Sequence, residues 1–180
     1  MQFKEPGEEK FKPKSPNITI NQINDVLKSL GSGYMCEEVP ERIQGTEILR
    51  DKTIVMVDDQ LILLKLFAPE LVVATDNKAR FIEHTNQKIE DLVTSIMETK
   101  ADIVLLDYSL ASGIKGPEVA RALLSKGFSD LIIGFSTHGN AEFEFEASGA
   151  LGSIKKENPE KFPGVSVKAL ANFLITQQIK

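Results

Sequence analysis

A chain of 180 residues with 42% hydrophobic content can fill one ordinary core and still carry an appendage. Its formal net charge of -5 offers no basic stripe for nucleic acid, no apolar run approaches membrane-spanning length, and the start, Met1-Gln2-Phe3-Lys4-Glu5-Pro6, lacks the apolar core of a signal peptide. These features disfavour direct nucleic-acid binding, give no membrane span and predict a cytoplasmic protein, while the single cysteine, Cys36, excludes an intrachain disulfide and a Cys-rich zinc site.

The stretch to about Pro16 is rich in Lys, Glu and Pro without apolar periodicity and reads as a mobile arm. From Thr19 to Gly31, Ile20, Ile23, Val26, Leu27 and Leu30 fall on one helical face, with Gly31 as the stop. A helix this short needs tertiary contacts, so its apolar face is expected to pack on the rest of the chain or on a dimer mate. Tyr34 to Asp51, with Pro40 and Gly45, reads as a connector or a second, partly ordered arm. Residues 1–51 are thus expected to form an N-terminal arm with a short amphipathic helix, and 52–180 a folded domain.

Within that domain Ile54-Val55-Met56-Val57 is a buried strand ending in Asp58-Asp59. A helix follows from Gln60 to Phe67, where Ala68-Pro69 is expected to break it. Phe81-Ile82-Glu83-His84 reads as the second strand and Gln87 to about Thr99 as a helix. Ile103 to Leu106 forms a third strand, closed by Asp107, and Gly116-Pro117 opens the next helix. Leu131 to Phe135 is the fourth strand, running into Ser136-Thr137; Ala150 to Ile154 is the fifth, running into Lys155-Lys156. A last helix covers about Val165 to Gln177, with Leu170, Phe173 and Leu174 inward. Alternating strands and helices predict a doubly wound α/β domain with a five-stranded parallel sheet.

Parallel strands bring their carboxyl ends to one edge, so Asp58, Asp59 and Asp107 are expected to meet there. Three acids with no His or Cys nearby in sequence favour an oxygen-liganded Mg²⁺ and phosphate chemistry. An acidic pair, a lone Asp, a hydroxyl and a lysine at successive strand ends resemble the receiver domain of two-component response regulators, over roughly Lys52 to the C-terminus.

The resemblance implies the flavodoxin-like strand order 2-1-3-4-5, with Asp107 as phosphoacceptor, Ser136 as its hydroxyl and Lys156 as its lysine. The pattern from Gly149 to Lys156 selects Lys156 over Lys155. It further implies Mg²⁺ held by Asp59 and Asp107 directly, by Asp58 through water, and by the backbone carbonyl of Ser109. The implied function is a phosphorylation-controlled signalling module: a sensor histidine kinase or phosphotransfer protein donates to Asp107, and the modified domain signals to a downstream protein through protein contacts. Such a chain assists its own phosphorylation but is not an enzyme with turnover. The alternative is a receiver-like interaction domain acting without phosphorylation. A Mg²⁺-dependent phosphatase is disfavoured, because Ser109 stands where a second acid would be needed.

Carboxylates about 4 Å apart repel by up to roughly 4 kcal/mol at an effective dielectric of 20, so the cation-free site should hold raised carboxyl pKa values. Several positions depart from the family pattern. Leu110-Ala111 replaces Met-Pro, the Ser112 to Lys115 loop is a residue longer, and Glu157 replaces a Pro. Ser153 stands where many members carry the aromatic that moves on activation, and His138 to Ser148 is short for a full helix. Phe143 and Phe145, alternating with glutamates, form either a partner face or core. His84 and His138 read as ordinary polar residues, and Cys36 as a small buried hydrophobe.

Overall fold

The structure is a computed structural model that describes residues 18–178; the arm expected to Pro16 lies outside them. Five parallel strands, β1 (Ile54–Asp58), β2 (Ala79–Glu83), β3 (Ile103–Leu106), β4 (Leu131–Ser136) and β5 (Ser153–Lys155), lie in the order β2-β1-β3-β4-β5. Six α-helices accompany them: α1 (Ile20–Ser29), α2 (Leu61–Ala74), α3 (Ile89–Glu98), α4 (Gly116–Ser125), α5 (Ala141–Ala147) and α6 (Val165–Gln178). This is the doubly wound, flavodoxin-like order expected from the sequence.

Two-residue periodicity divides the core. Ile54 and Met56 of β1, Ile103 and Leu105 of β3 and Phe135 of β4 face the layer of α1, α2 and α6, whereas Val55, Val57, Val104, Leu106 and Ile132 face α3, α4 and α5. Both faces are covered, which is why the central strands read as unbroken apolar runs.

The α1 helix starts with a capping box, in which Thr19 and Gln22 satisfy one another's backbone N–H groups. It ends where Gly31, at φ 63°, donates to the Lys28 carbonyl and Ser32 to the Leu27 carbonyl. Ile23 and Leu27 are fully buried in the same core as Ile54 and Phe67. The 34–51 stretch, expected as a connector, is bound to the domain as well. Leu49 is buried, and the Arg42 guanidinium pairs with Asp76 and donates to the Ala74 carbonyl.

Three element boundaries differ from expectation. The α2 helix does not stop at Pro69 but continues through it to Ala74. An internal proline costs about 3 kcal/mol. Burial of Leu71, Val72 and Val73 beyond it returns about 1.5–3 kcal/mol per side chain, which outweighs that cost. The β2 strand begins two residues early, at Ala79, and ends at Glu83, leaving His84 just outside. The β5 strand begins only at Ser153, because Gly152 at φ 143° interrupts regular pairing, although its carbonyl still accepts the Gly134 N–H. Among the described residues no helix is long and apolar enough to cross a membrane.

Candidate functional site

Asp58 is the last residue of β1, and Asp107 follows β3 directly, its N–H donating to the Val57 carbonyl at 3.0 Å. On the other side Ser136 ends β4, and its carbonyl accepts the Lys156 N–H at 2.9 Å. Strand register alone therefore brings Asp58, Asp59, Asp107, Ser136 and Lys156 to one edge of the sheet. Ligand oxygens of the three acids lie within 4.8 Å of one another.

Lys156 extends past the Phe135 ring, its Nζ 5.5 Å from the ring centroid, and ends between two carboxylates. Its Nζ lies 2.6 Å from Asp58 Oδ2 and 2.6 Å from Asp107 Oδ1. The neighbouring Lys155 points to solvent, where it pairs with Glu157, as alternation along a strand requires. Both Asp58 oxygens already accept a hydrogen bond, Oδ2 from Lys156 and Oδ1 from the Gln60 N–H at 2.9 Å. Asp107 Oδ2 accepts the Ser109 N–H at 3.1 Å. Asp59 differs: its Oδ1 is buried without a donor. Three carboxylates against one ammonium, with one buried oxygen uncompensated, form a donor set that fits a hard divalent cation.

Burial pushes the Asp58 carboxyl above the ordinary range, opposed by Lys156 and the Gln60 N–H, and Asp107 adds a smaller push upward. The direction agrees with the expected rise, but desolvation is the main cause and carboxylate repulsion a minor one.

Ser136 is buried, and its Oγ accepts the His138 N–H at 3.0 Å. Ser109 is exposed, in a loop closed by its bridge to Lys115. That loop returns so closely to β3 that a Cβ on Gly116 would stand 2.2 Å from the Asp107 carbonyl oxygen, so glycine is required there. Of the two histidines, His84 is fully buried and its Nε2 lies 3.1 Å from the Gln87 carbonyl, whereas His138 is exposed. Cys36 is half-buried, and burial pushes its thiol up.

Tyr108 carries no signal in the sequence beyond its place after Asp107. Its hydroxyl donates to Glu144 of α5 and lies 3.1 Å from Lys115 Nζ, and its ring lies 5.1 Å from that of His138, tilted by 32°. The Tyr108 hydroxyl, with Lys115, holds Glu144 below the usual carboxylate range, and Tyr108 with Glu144 holds Lys115 above its own.

No family model matches the chain, and no curated protein sequence matches it. Solved structures do. The receiver domain of the histidine kinase CKI1 from Arabidopsis thaliana, complexed with Mg²⁺ and BeF3⁻, is 18% identical over 76% of this chain and 95% of its own, with a TM-score of 0.53. Response regulator TrrA from Thermotoga maritima, in complex with Mg²⁺ and BeF, is 22% identical over 68% and 98%, with a TM-score of 0.52. The BeF3-activated receiver domain of Klebsiella pneumoniae RstA is 24% identical over 67% and 97%, with a TM-score of 0.51. The chain has the receiver-domain fold. Its acidic cluster lies where that fold joins the carboxyl ends of β1 and β3.

Proposed function

We propose that the protein is a phosphorylation-controlled signalling module whose phosphoacceptor is Asp107. The observation that carries this reading is the Lys156 ammonium held between Asp58 and Asp107 beside the donor-less oxygen of Asp59. A surface ion pair would need none of this burial. Asp59, Asp107 and Asp58 would hold Mg²⁺, which when bound neutralises oxygens of the incoming phosphoryl group.

The remaining work falls to the chain. An Asp107 carboxylate oxygen attacks phosphorus as the P–N bond of a kinase phosphohistidine breaks. The electron pair of that bond returns to the imidazole, and a P–O bond forms, giving an acyl phosphate. Lys156 is already within reach of Asp107 and pairs with the added charge. Ser136 Oγ accepts from the His138 N–H, which leaves its own proton to donate to a phosphoryl oxygen. Nothing in this sequence of events turns over substrate, so the protein acts as an acceptor and signals through contacts with another protein, in the cytoplasm.

Incubation with acetyl phosphate and Mg²⁺, followed by intact-mass measurement, tests the assignment. One hydroxylamine-labile phosphoryl group per chain is expected in the wild type and none in Asp107→Asn. Retention of the group by Asp107→Asn would overturn the choice of acceptor. Wild-type protein that stays unmodified by acetyl phosphate, phosphoramidate and a cognate kinase would favour the interaction domain that works without phosphate.

A further inference from the structure

Away from the acidic edge, the segment after α1, the outer face of α2 and the loop leading into α6 enclose an open cleft of about 530 Å³. Tyr34, Ile62, Leu66 and Pro69 give it an apolar wall. Tyr34 is 72% exposed and Ile62 60%, so no described residue covers this part of the wall. Two large apolar side chains open in one cleft give a partner segment apolar surface to cover.

The charged groups of the cleft are mostly carboxylates. Glu70 Oε1 accepts the Gly164 N–H at 2.7 Å, but its Oε2 is buried with no donor, and burial pushes the carboxyl up. Pro69 has no N–H to offer the Lys65 carbonyl four residues before it. An adjoining cavity shares Tyr34 and Cys36 and adds Glu37 and Glu38. Glu160 lies in the main cleft, so four glutamates face one cation, Lys65, whose Nζ is already tied to the Gly31 carbonyl at 3.1 Å. The cleft calls for an apolar group flanked by positive charge.

One segment of this chain has that chemistry. Residues 10–14 read Lys-Phe-Lys-Pro-Lys, three cations around one aromatic ring. The reach is sufficient. The ten residues of α1 span about 15 Å, and its C-terminal end meets the cleft at the bond between Gly31 and Lys65. The seven residues from Phe11 to Asn17 can cover about 23 Å when extended. We propose that Lys10–Lys14 docks into this cleft of its own chain, with the Phe11 ring against Tyr34 and Ile62 and a lysine ammonium on the Glu70 carboxylate. The loop that walls the cleft begins directly after the strand end carrying Lys156, so a docked segment braces the backbone beside the acidic edge.

The chain contains no tryptophan, so Phe11→Trp in the full-length protein introduces a sole reporter. A blue-shifted indole emission with several-fold weaker acrylamide quenching than free tryptophan is expected, unchanged on hundredfold dilution. Adding Ile62→Lys, a change at an exposed site that should leave the fold intact, is expected to return the indole to water. Glu70→Gln should do so in part, and salt at 0.5 M should weaken docking further. A fully exposed indole in the first variant would overturn docking. A blue shift that survives Ile62→Lys and Glu70→Gln would put the ring elsewhere and overturn this site. A shift lost on dilution would overturn docking in cis in favour of a second copy.

Discussion

Replacing Lys156 with methionine removes the ammonium between Asp58 and Asp107 while keeping most of the side-chain volume. Each contact is 2.6 Å long, which at an effective dielectric of 20 is worth roughly 6 kcal/mol before desolvation. Desolvation offsets much of this, and removing one partner of a buried pair costs about 3–5 kcal/mol. The lower end applies here, because Asp107 retains 8% exposure and water can reach it. The deficit should depend on pH. The Asp58 carboxyl is raised in the folded protein, so between its ordinary and its raised pKa the folded state binds more protons than the unfolded one. Stability contributed by this group therefore falls as pH rises through that window, and loss of the ammonium extends the window upward. Urea unfolding of Lys156→Met should show a loss of about 3 kcal/mol at pH 8 without divalent cation. The deficit should shrink toward pH 5, and Mg²⁺ should restore much of it at pH 8. Equal stability of variant and wild type at pH 8, or a deficit that grows toward acid, would refute the reasoning.

Three further outcomes follow from the geometry. Asp59→Ala should lose Mg²⁺ affinity more severely than Asp58→Ala in calorimetry, because Asp59 holds the donor-less oxygen and both oxygens of Asp58 are engaged; wild-type affinity in Asp59→Ala would contradict this. Gly134→Ala would place a methyl 2.2 Å from Phe145 Cδ2, so its melting should fall by the equivalent of about 1–3 kcal/mol, and Phe145→Leu in the same chain should recover part of it. Tyr108→Phe removes the hydroxyl that joins Glu144 and Lys115, and amides of α5 should exchange faster while those of β3 do not; unchanged exchange in α5 would show that the bond has no structural role.

The parts of the fold legible in the sequence were those governed by local pattern. Buried strands are visible as Ile54-Val55-Met56-Val57 and Ile103-Val104-Leu105-Leu106, and the acids at their ends mark the sheet edge. Pro69 misled because its cost is local, whereas the burial that overrides it comes from α1 and the sheet. The packing of residues 34–51 was invisible for a related reason. Arg42 finds Asp76 across a long separation, and no periodicity announces such a pair. At the site, positions were legible but occupancy was not. The resemblance over Gly149 to Lys156 selects Lys156 over Lys155, yet only the structure places its ammonium on Asp58 as well as Asp107.

Ser153 lacks the aromatic side chain common at its position in receivers, and the structure has filled the space from another direction. Phe145 of α5 is fully buried and lies so close over Gly134 that no side chain fits there, with the Ser153 Cβ only 2.7 Å from where a Cβ on Gly134 would stand. A seven-residue helix is not stable by itself, so α5 depends on such anchors. Phe145 is one, and the Tyr108 hydroxyl on Glu144 is another. The second anchor belongs to the residue next to Asp107, and the His138 residue whose ring leans on it is held through its backbone by Ser136. Charge added at Asp107 would act first on Lys156 and Ser136, and Ser136 holds the backbone of His138, whose ring leans on the Tyr108 ring that is bonded to α5. In this chain the aromatic link between the acidic edge and α5 starts from β3, while β5 contributes only the small side chain that makes room for it.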